Sequence, residues 1–258
     1  MGHMVEELLH ELSVLPMFTD DLHHIGTFTL TNYTFFLLIA FAITVVFFAI
    51  ATRRISLVPK GIGNLVEAGV SFVRDGLCVD ILGSENGRKY FPFIGTIFFF
   101  VLFNNLLGLL PGALPGTGTI GVTVTWGLIV FLVYNTIGIK KNGFFTYMKS
   151  FVPSGTPLLL MPLIFLLEIV SHFLRPITLG IRLYANMYAG HIMLGIFTIL
   201  VTISLQQLSP GSAVTGGLSF VMRVVMHGFE VFVAVLQAYI FSILTTVYIN
   251  GALHASEH

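Results

Sequence analysis

The chain has 258 residues, of which 55% are hydrophobic and only 9% are charged, and its formal net charge at pH 7 is zero. A soluble domain carries roughly 25% charged residues, so a chain this apolar lacks a water-compatible surface and needs the bilayer as its solvent. The balanced charge argues against a nucleic-acid-binding protein, and the single cysteine, Cys78, excludes an internal disulfide.

The N-terminal third is predicted to contain one transmembrane helix and one interfacial segment. Residues 1–32 start with an acidic, amphipathic stretch that differs from a signal peptide, so we expect an extracytoplasmic segment. Residues 33–56 hold the first transmembrane helix, because residues 33–52 carry no charge. Residues 57–90 carry too many charges to span, and they are predicted to form an amphipathic helix at the interface or a solvent-facing hairpin arm.

A transmembrane hairpin is predicted for residues 91–141. Two apolar spans are separated there by the Pro- and Gly-rich turn at residues 111–118, and two lysines close the second span. Residues 142–156 follow as a cytoplasmic loop. The middle of the chain therefore contributes two more crossings.

A second, longer hairpin is predicted for residues 157–253, with residues 254–258 as a tail. Its first apolar run, residues 157–207, would measure about 75 Å as a helix, more than twice the hydrocarbon thickness of a bilayer. It must be strongly tilted, kinked, or split at Pro176 or near Gly190 and Gly195. The last helix is also too long to stand upright.

The distribution of basic residues orients the chain. Lysines and arginines fall in two loops on one side of the predicted membrane: Arg53, Arg54, Lys60, Arg74, Arg88, Lys89, Lys140, Lys141 and Lys149. Cytoplasmic loops carry such an excess, so the N-terminus is expected outside and the C-terminus in the cytoplasm. The fold class is thus an all-α integral membrane protein with about five transmembrane helices and one interfacial amphipathic helix.

Ionisable side chains interrupt the last two apolar helices. They are Glu168, His172, Arg175, Arg182, His191, Arg223, His227 and Glu230. A charge at mid-bilayer costs about 2.5–3.5 kcal/mol on insertion scales, and such residues usually mark ion or substrate pathways. For Arg175 and Arg223, snorkelling to the interface or a structural ion pair is as good an interpretation as a functional role. For Arg182 a functional role is the favoured interpretation.

Helical geometry groups these side chains into faces. At about 100° per residue, a polar stripe lies within about 40° of one line and comprises Glu168, Ser171, Arg175, Thr178, Arg182 and Asn186. His191 projects from the opposite face of the same helix. On the final helix one face carries Arg223, His227, Glu230 and Gln237.

The residue types predict a division of labour. A guanidinium does not deprotonate in a protein, so Arg182 cannot relay a proton, but it can keep a nearby carboxyl group ionised. Carboxylates and imidazoles can relay protons, and the candidates are Glu168, His172, His191, His227 and Glu230. No metal site and no cofactor are predicted.

Three segments carry a resemblance to a known family. TLGIRLYANMYAGH (residues 178–191), EVFVAVLQAYIF (residues 230–241) and NNLLGLLP (residues 104–111) closely resemble subunit a of the bacterial F-type ATP synthase. The likeness extends over the chain from about residue 33. It implies a non-catalytic subunit of the inner membrane, placed beside a ring of c subunits, with peripheral-stalk b subunits and, through the stalk, F1 as further partners.

The resemblance also assigns roles to individual residues. Arg182 matches the family's essential arginine, which faces the ring carboxylate and blocks a proton short-circuit between two half-channels. Asn186 and Gln237 match polar residues beside it, and Glu168 matches a carboxylate on the cytoplasmic exit side. Many bacterial members of the family carry Glu at the position of His191 and His at the position of Glu230.

This exchange predicts that His191 and Glu230 meet across the hairpin as one titrating unit at the inner end of the outside-facing half-channel. The expected coupling ion is the proton rather than sodium. Two other functions stay open: a stand-alone secondary transporter or channel, which predicts repeated halves that this sequence lacks, and a non-transporting anchor, which leaves an intramembrane arginine unexplained.

Overall fold

The computed structural model describes residues 32–53, 62–110, 113–151, 157, 159–207 and 210–255. Within these residues the regular structure is helical throughout. The helices are α1 (Asn32–Arg53), α2 (Ile62–Val73), α3 (Asp80–Leu107), α4 (Ile120–Asn142), α5 (Phe144–Lys149), α6 (Met161–Gln206) and α7 (Pro210–Leu253). A π-helical stretch, Arg74–Val79, links α2 to α3, and a 3-10 turn, Gly116–Gly118, precedes α4.

The predicted all-α membrane fold is confirmed. Among the described residues, the stretches long and apolar enough to cross a bilayer are Val66–Leu107, Ile120–Asn142, Met161–Gln206 and Gly211–Leu253, and Tyr33–Ala49 is a shorter apolar helix. Residues 1–31 of the expected extracytoplasmic segment, residues 152–156 of the predicted cytoplasmic loop and residues 256–258 of the tail lie outside the described part of the chain. The earlier part of that loop, residues 142–151, contains the short helix α5.

The segment between α1 and the second predicted span folds back as a helical hairpin. Gly83 has φ of +79°, a conformation that side chains disfavour, and it turns the chain within one residue. The two arms then pack antiparallel: Gly87 lies against the backbone of Cys78 and Val79, and Gly69 faces the ring of Phe99. The polar residues that follow Gly83, up to Lys89, are helical. The structure thus favours a hairpin arm, whose depth in the bilayer stays a prediction.

Two asparagines at the end of α3 hold the turn before α4. The backbone N–H of Gly116 donates to Oδ1 of Asn104 at 2.8 Å, and the Thr117 hydroxyl donates to Oδ1 of Asn105 at 2.8 Å. Nδ2 of Asn105 reaches the carbonyl of Ala234 on α7 at 3.4 Å. Because all of these groups are buried, the paired asparagines of the NNLLGLLP segment fix the turn and tie it to α7.

The long hairpin consists of two continuous helices. α6 has 46 residues and α7 has 44, which correspond to about 69 and 66 Å. Pro176 lies inside α6 without splitting it. Of the predicted alternatives, a tilt, a kink or a split, the split therefore does not occur. Contacts between the helices fix an antiparallel register: Ser204 lies beside Thr215, with hydroxyls 3.3 Å apart, Gly190 faces Glu230, and Arg175 lies 5.7 Å from the ring centroid of Tyr248.

Glycines let α4 and α6 cross at very close range. Gly127 of α4 lies directly against the carbonyl of Pro176, and Gly180 of α6 lies against the backbone of Thr123 and Val124. Small residues at membrane helix crossings allow this approach of two backbones. Pro176 is consequently buried at the crossing with α4.

Candidate functional site

Arg182 lies on a face of α6 that the described residues leave open. Its side chain is exposed, as are those of Thr178, Ile181 and Ala185 around it. Within the described residues Arg182 forms no hydrogen bond and no ion pair, whereas the other arginine of the polar stripe is paired. A permanent cation on an apolar helix thus presents its charge outward, where a second molecule can reach it.

Some side chains of the predicted polar stripe have partners within α6 and others do not. Nη2 of Arg175 donates to Oε1 of Glu168 at 2.5 Å, so these two charges neutralise each other along the helix. The Thr178 hydroxyl donates to the Leu174 carbonyl of its own helix at 3.0 Å. Arg182 is therefore left as the free charge of the stripe as far as the structure describes it.

A cavity of about 350 Å³ opens beside the Glu168–Arg175 pair. It lies between α4, α5, α6 and the C-terminal end of α7, and its polar lining includes Tyr134, Tyr147, Ser150, Glu168, His172, Arg175 and Tyr248. Under the orientation that the basic loops predict, this end of the molecule faces the cytoplasm. The cavity therefore borders the end of the stripe that contains Glu168 and Arg175.

His172 contributes to the wall of this cavity and belongs to a buried polar network. Its side chain is 4% exposed, and Nε2 lies 2.9 Å from Oδ1 of Asn135 and 3.5 Å from the Tyr134 hydroxyl. The Tyr147 hydroxyl donates to the same Asn135 oxygen at 3.1 Å. Sequence reasoning missed Asn135, Tyr134 and Tyr147, although an asparagine in the middle of an apolar span is a signal that could have been used.

Glu230 and Gln237 are buried on α7. Glu230 is 5% exposed, and neither of its carboxylate oxygens has a hydrogen-bond partner among the described residues. Its carboxyl group lies against Gly190 on α6, the residue that precedes the half-buried His191. A buried carboxylate without a partner is costly when ionised, which favours a group that takes up a proton.

The hairpin thus brings Glu230 and the backbone next to His191 to the same level, while their direct pairing stays a prediction. The antiparallel register also puts Gln237 of α7 about level with Arg182 of α6. Asn186 lies one turn from Arg182 on α6 and is half-buried. Two predicted neighbours of the arginine are therefore close to it along the hairpin.

Arg223 and His227 differ from the two buried residues with which they were predicted to share a face. His227 is exposed and Arg223 is partly exposed, whereas Glu230 and Gln237 are buried. Ser171 of the polar stripe is also exposed. The structure therefore separates the face predicted on α7 into an inner pair and an outer pair.

The polar groups form two clusters along α6 with Arg182 between them. Glu168 precedes Arg182 by 14 residues, about 21 Å of helix, and His191 follows it by 9 residues, about 14 Å. The first cluster contains the cavity and the Glu168–Arg175 pair, and the second contains Gly190 and Glu230. Together, fold and site define a multi-span helical membrane protein in which an outward-facing arginine separates two polar regions.

Comparisons with known proteins show which family this chain belongs to. The family model described as "ATP synthase A chain" matches residues 34–250. A protein of Hyphomonas neptunium is 42% identical over 228 residues, 88% of each chain; one of Chelativorans sp. is 38% identical over 251 residues, 97% of this chain and 99% of its own. One of Magnetococcus marinus is 39% identical over 267 residues, 97% of this chain and 99% of its own. All three proteins are called "ATP synthase subunit a".

The chain belongs to the ATP synthase subunit a family. The resemblance stated from the sequence is thereby confirmed, and so is its range, which begins at about residue 33.

Proposed function

We propose that this chain is the proton-translocating stator subunit of an F-type ATP synthase, and that Arg182 faces the carboxylate of a neighbouring ring of c subunits. The observation that carries the proposal is the position of Arg182, exposed and unpaired within the described residues, between two polar clusters on the long hairpin. A buried interface with a carboxylate of another polypeptide would supply the counter-ion that the described residues do not provide there.

The second polar cluster, which contains Gly190 and Glu230, serves as the inner end of the entry half-channel. Glu230 is buried against Gly190, so a proton taken up there lies within the hairpin and beside His191. Gln237 and Asn186 extend polar groups from this level toward Arg182. The entering proton would pass from this cluster to the ring carboxylate.

The exit half-channel opens at the cavity beside Glu168. A proton released from the ring would leave past Ser171 and the Glu168–Arg175 pair, with His172 buried in the cavity wall. Carboxylates and imidazoles are the groups that pass protons at membrane depth. His227, which is exposed on α7, stays a candidate for the entry side.

Arg182 acts in this scheme as a barrier and an electrostatic trigger. A guanidinium within a few ångströms favours the ionised form of a carboxyl group, so the ring carboxylate loses its proton as it reaches Arg182. Since the guanidinium itself does not deprotonate, protons cannot hop directly between the half-channels. They must travel with the ring, and this couples proton flow to rotation and thus to ATP synthesis.

The surroundings follow from the same scheme. The subunit is non-catalytic and lies in the bacterial inner membrane with its N-terminus outside and its C-terminus in the cytoplasm. Its partners are the c-ring, the b subunits of the peripheral stalk and, through them, F1. The wide exposed apolar surface of α6 and α7 supports contacts with other membrane helices and lipid.

Replacing Arg182 tests the proposal, and the chain offers a matched control. Arg182→Ala should abolish proton-driven ATP synthesis in membrane vesicles, while the complex still assembles. Arg182→Lys should also largely fail, because a lysine can lose its proton and lacks the planar fork. Arg223→Ala removes another arginine from the same hairpin and should leave most of the synthesis intact. Normal synthesis by the Arg182→Ala complex would refute the proposal.

The alternative of a stand-alone transporter or channel predicts a different result. In that case the purified chain would conduct protons in liposomes without any partner. We expect little or no conductance, because the polar groups on α6 open toward a face that the described part of the chain does not cover.

A further inference from the structure

A second cavity, of about 750 Å³, lies between α3 and α4 and is independent of the proposed proton path. Three lysines line it, Lys89 from α3 and Lys140 and Lys141 from α4. None of the residues assigned above to proton transfer contributes to its lining. Among the described lining residues there is no carboxylate, so three ammonium groups share a cavity without a counter-ion.

The lysines lie at one end of the helices, where lipid headgroups are found. Lys140 and Lys141 fall in the last turn of α4. α3 and α4 run antiparallel and meet at Phe100 and Trp126, whose ring centroids are 4.9 Å apart, so Lys89 lies level with the end of α4. Lysines at the cytoplasmic end of a membrane helix sit at the level of the lipid phosphates.

The deeper wall of the same cavity is apolar. Leu132, Val133 and Ile137 of α4 line it, and Leu132 precedes Lys140 by 8 residues, about 12 Å toward the membrane centre. Leu132 is 63% exposed, so the cavity opens sideways toward the bilayer. The lining thus changes from cationic to apolar along the direction in which a lipid changes from phosphate to acyl chain.

Two contacts order the surroundings of the lysines. Nδ2 of Asn142, at the end of α4, donates to the carbonyl of Ala252 on α7 at 2.9 Å, and the neighbouring Leu253 also lines the cavity. On α3, Nζ of Lys89 lies 5.4 Å from the ring centroid of Tyr90.

We propose that this cavity binds one anionic phospholipid, with its phosphate between Lys89, Lys140 and Lys141 and an acyl chain along Leu132, Val133 and Ile137. Asn86 and Tyr90 supply further hydrogen-bonding groups at the headgroup level. Basic pockets between membrane helices on the cytoplasmic side suit anionic headgroups. An apolar helix of a partner subunit would leave the ammonium groups without counter-ions, and free phosphate would leave the apolar wall without an occupant.

Lipid titration of the delipidated complex tests the proposal. The complex in uncharged detergent is titrated with phosphatidylglycerol or phosphatidylcholine, and bound lipid is counted by native mass spectrometry. The triple variant Lys89→Gln, Lys140→Gln, Lys141→Gln should lose one tightly bound phosphatidylglycerol, with affinity lower by on the order of a hundredfold, since each lysine contributes about fivefold. The triple lysine-to-arginine variant should stay within about threefold of the unmodified complex, because it keeps the charges.

A matched control removes the same charge outside the cavity. The triple variant Arg74→Gln, Arg88→Gln, Lys149→Gln should bind phosphatidylglycerol as the unmodified complex does. Equal binding by the lysine-to-glutamine variant, equal binding of phosphatidylcholine, or displacement of the lipid by inorganic phosphate would each overturn the proposal.

Electron cryo-microscopy of the unmodified complex decides the matter without any variant, should the lysine-to-glutamine protein fail to assemble. Phosphate density between the three lysines with a chain along Leu132 would support the proposal. Density for a protein helix, or an empty cavity in a preparation rich in phosphatidylglycerol, would contradict it.

Discussion

The carboxyl group of Glu230 on α7 lies directly against Gly190 on α6, one residue before His191. A methyl group added to Gly190 would meet the carboxyl carbon of Glu230 at 2.9 Å, so any larger residue must displace this buried side chain. The close approach leaves no room for a β-carbon at Gly190 unless the Glu230 side chain shifts. It also places the proposed proton acceptor of α7 at the level of the histidine of α6.

Gly190→Ala should therefore impair proton entry while the complex stays assembled. Overpacking of a tight contact costs about 1–3 kcal/mol, and we expect proton-driven ATP synthesis to fall by about tenfold as Glu230 is displaced. Gly121→Ala is the control, because a methyl group there has no atom within 4 Å. Synthesis rates per assembled complex in vesicles give the comparison, and equal rates for the two variants would refute a role of this contact.

Exchanging His191 and Glu230 tests whether the two residues act as one unit. His191→Glu and Glu230→His should each reduce ATP-driven proton pumping strongly, and the double exchange should recover a substantial part of it, because the pair then holds the same titratable groups. Pumping in inverted vesicles is the measurement. A double variant no better than the poorer single variant, in a complex that assembles normally, would show that the residues act separately.

Breaking the Glu168–Arg175 pair should affect transport more than stability. Both side chains are about one-third exposed, and ion pairs of this kind contribute only about 0–1 kcal/mol. Glu168→Gln should lower the synthesis rate several-fold and shift the thermal midpoint of the complex by no more than about 4 °C. Asp75→Asn breaks the other ion pair within the described residues, Arg74–Asp75 at 2.9 Å, and should change neither quantity. A large decrease in the thermal midpoint for Glu168→Gln, with no change for Asp75→Asn, would show that the Glu168–Arg175 pair stabilises the structure instead.

The crossing of α4 and α6 should tolerate no side chain at Gly180. A methyl group there would meet the carbonyl oxygen of Thr123 and the α-carbon of Val124 at 2.8 Å, and backbone atoms cannot move aside cheaply. Gly180→Ala should destabilise the subunit by about 1–3 kcal/mol, seen as a lower thermal midpoint or faster proteolysis in the complex. If it behaves like Gly121→Ala on the neighbouring helix, the two backbones are farther apart than described.

Sequence reasoning singles out Arg182 because a charge within an apolar membrane-spanning helix is unusual. A charge that is costly in hydrocarbon must have a partner or a function, so one arginine in an apolar helix can be singled out without knowledge of its neighbours. The same physics predicted the long hairpin from the length of its apolar runs. The family resemblance then assigned Asn186 and Gln237, which the hairpin register puts near Arg182.

Contacts between helices could not be predicted in this way. The period of a helix shows which residues share a face, but not which residue of another helix they meet. Sequence reasoning therefore predicts His172 as a proton carrier but does not show its contact with Asn135, 37 positions earlier. Likewise, the charges in residues 57–90 did not show that Gly83 reverses the chain within one residue and lets the charged arm pack against α3.

The most direct measurement is the distance between the Arg182 guanidinium and the nearest ring carboxylate in the assembled complex, obtained by electron cryo-microscopy. If Arg182 keeps that carboxylate ionised, the two groups should lie within about 6 Å of each other, directly or through one water molecule. An Arg182 side chain that faces lipid or another helix of its own subunit, with the ring carboxylate opposite a different part of the hairpin, would contradict the proposed role.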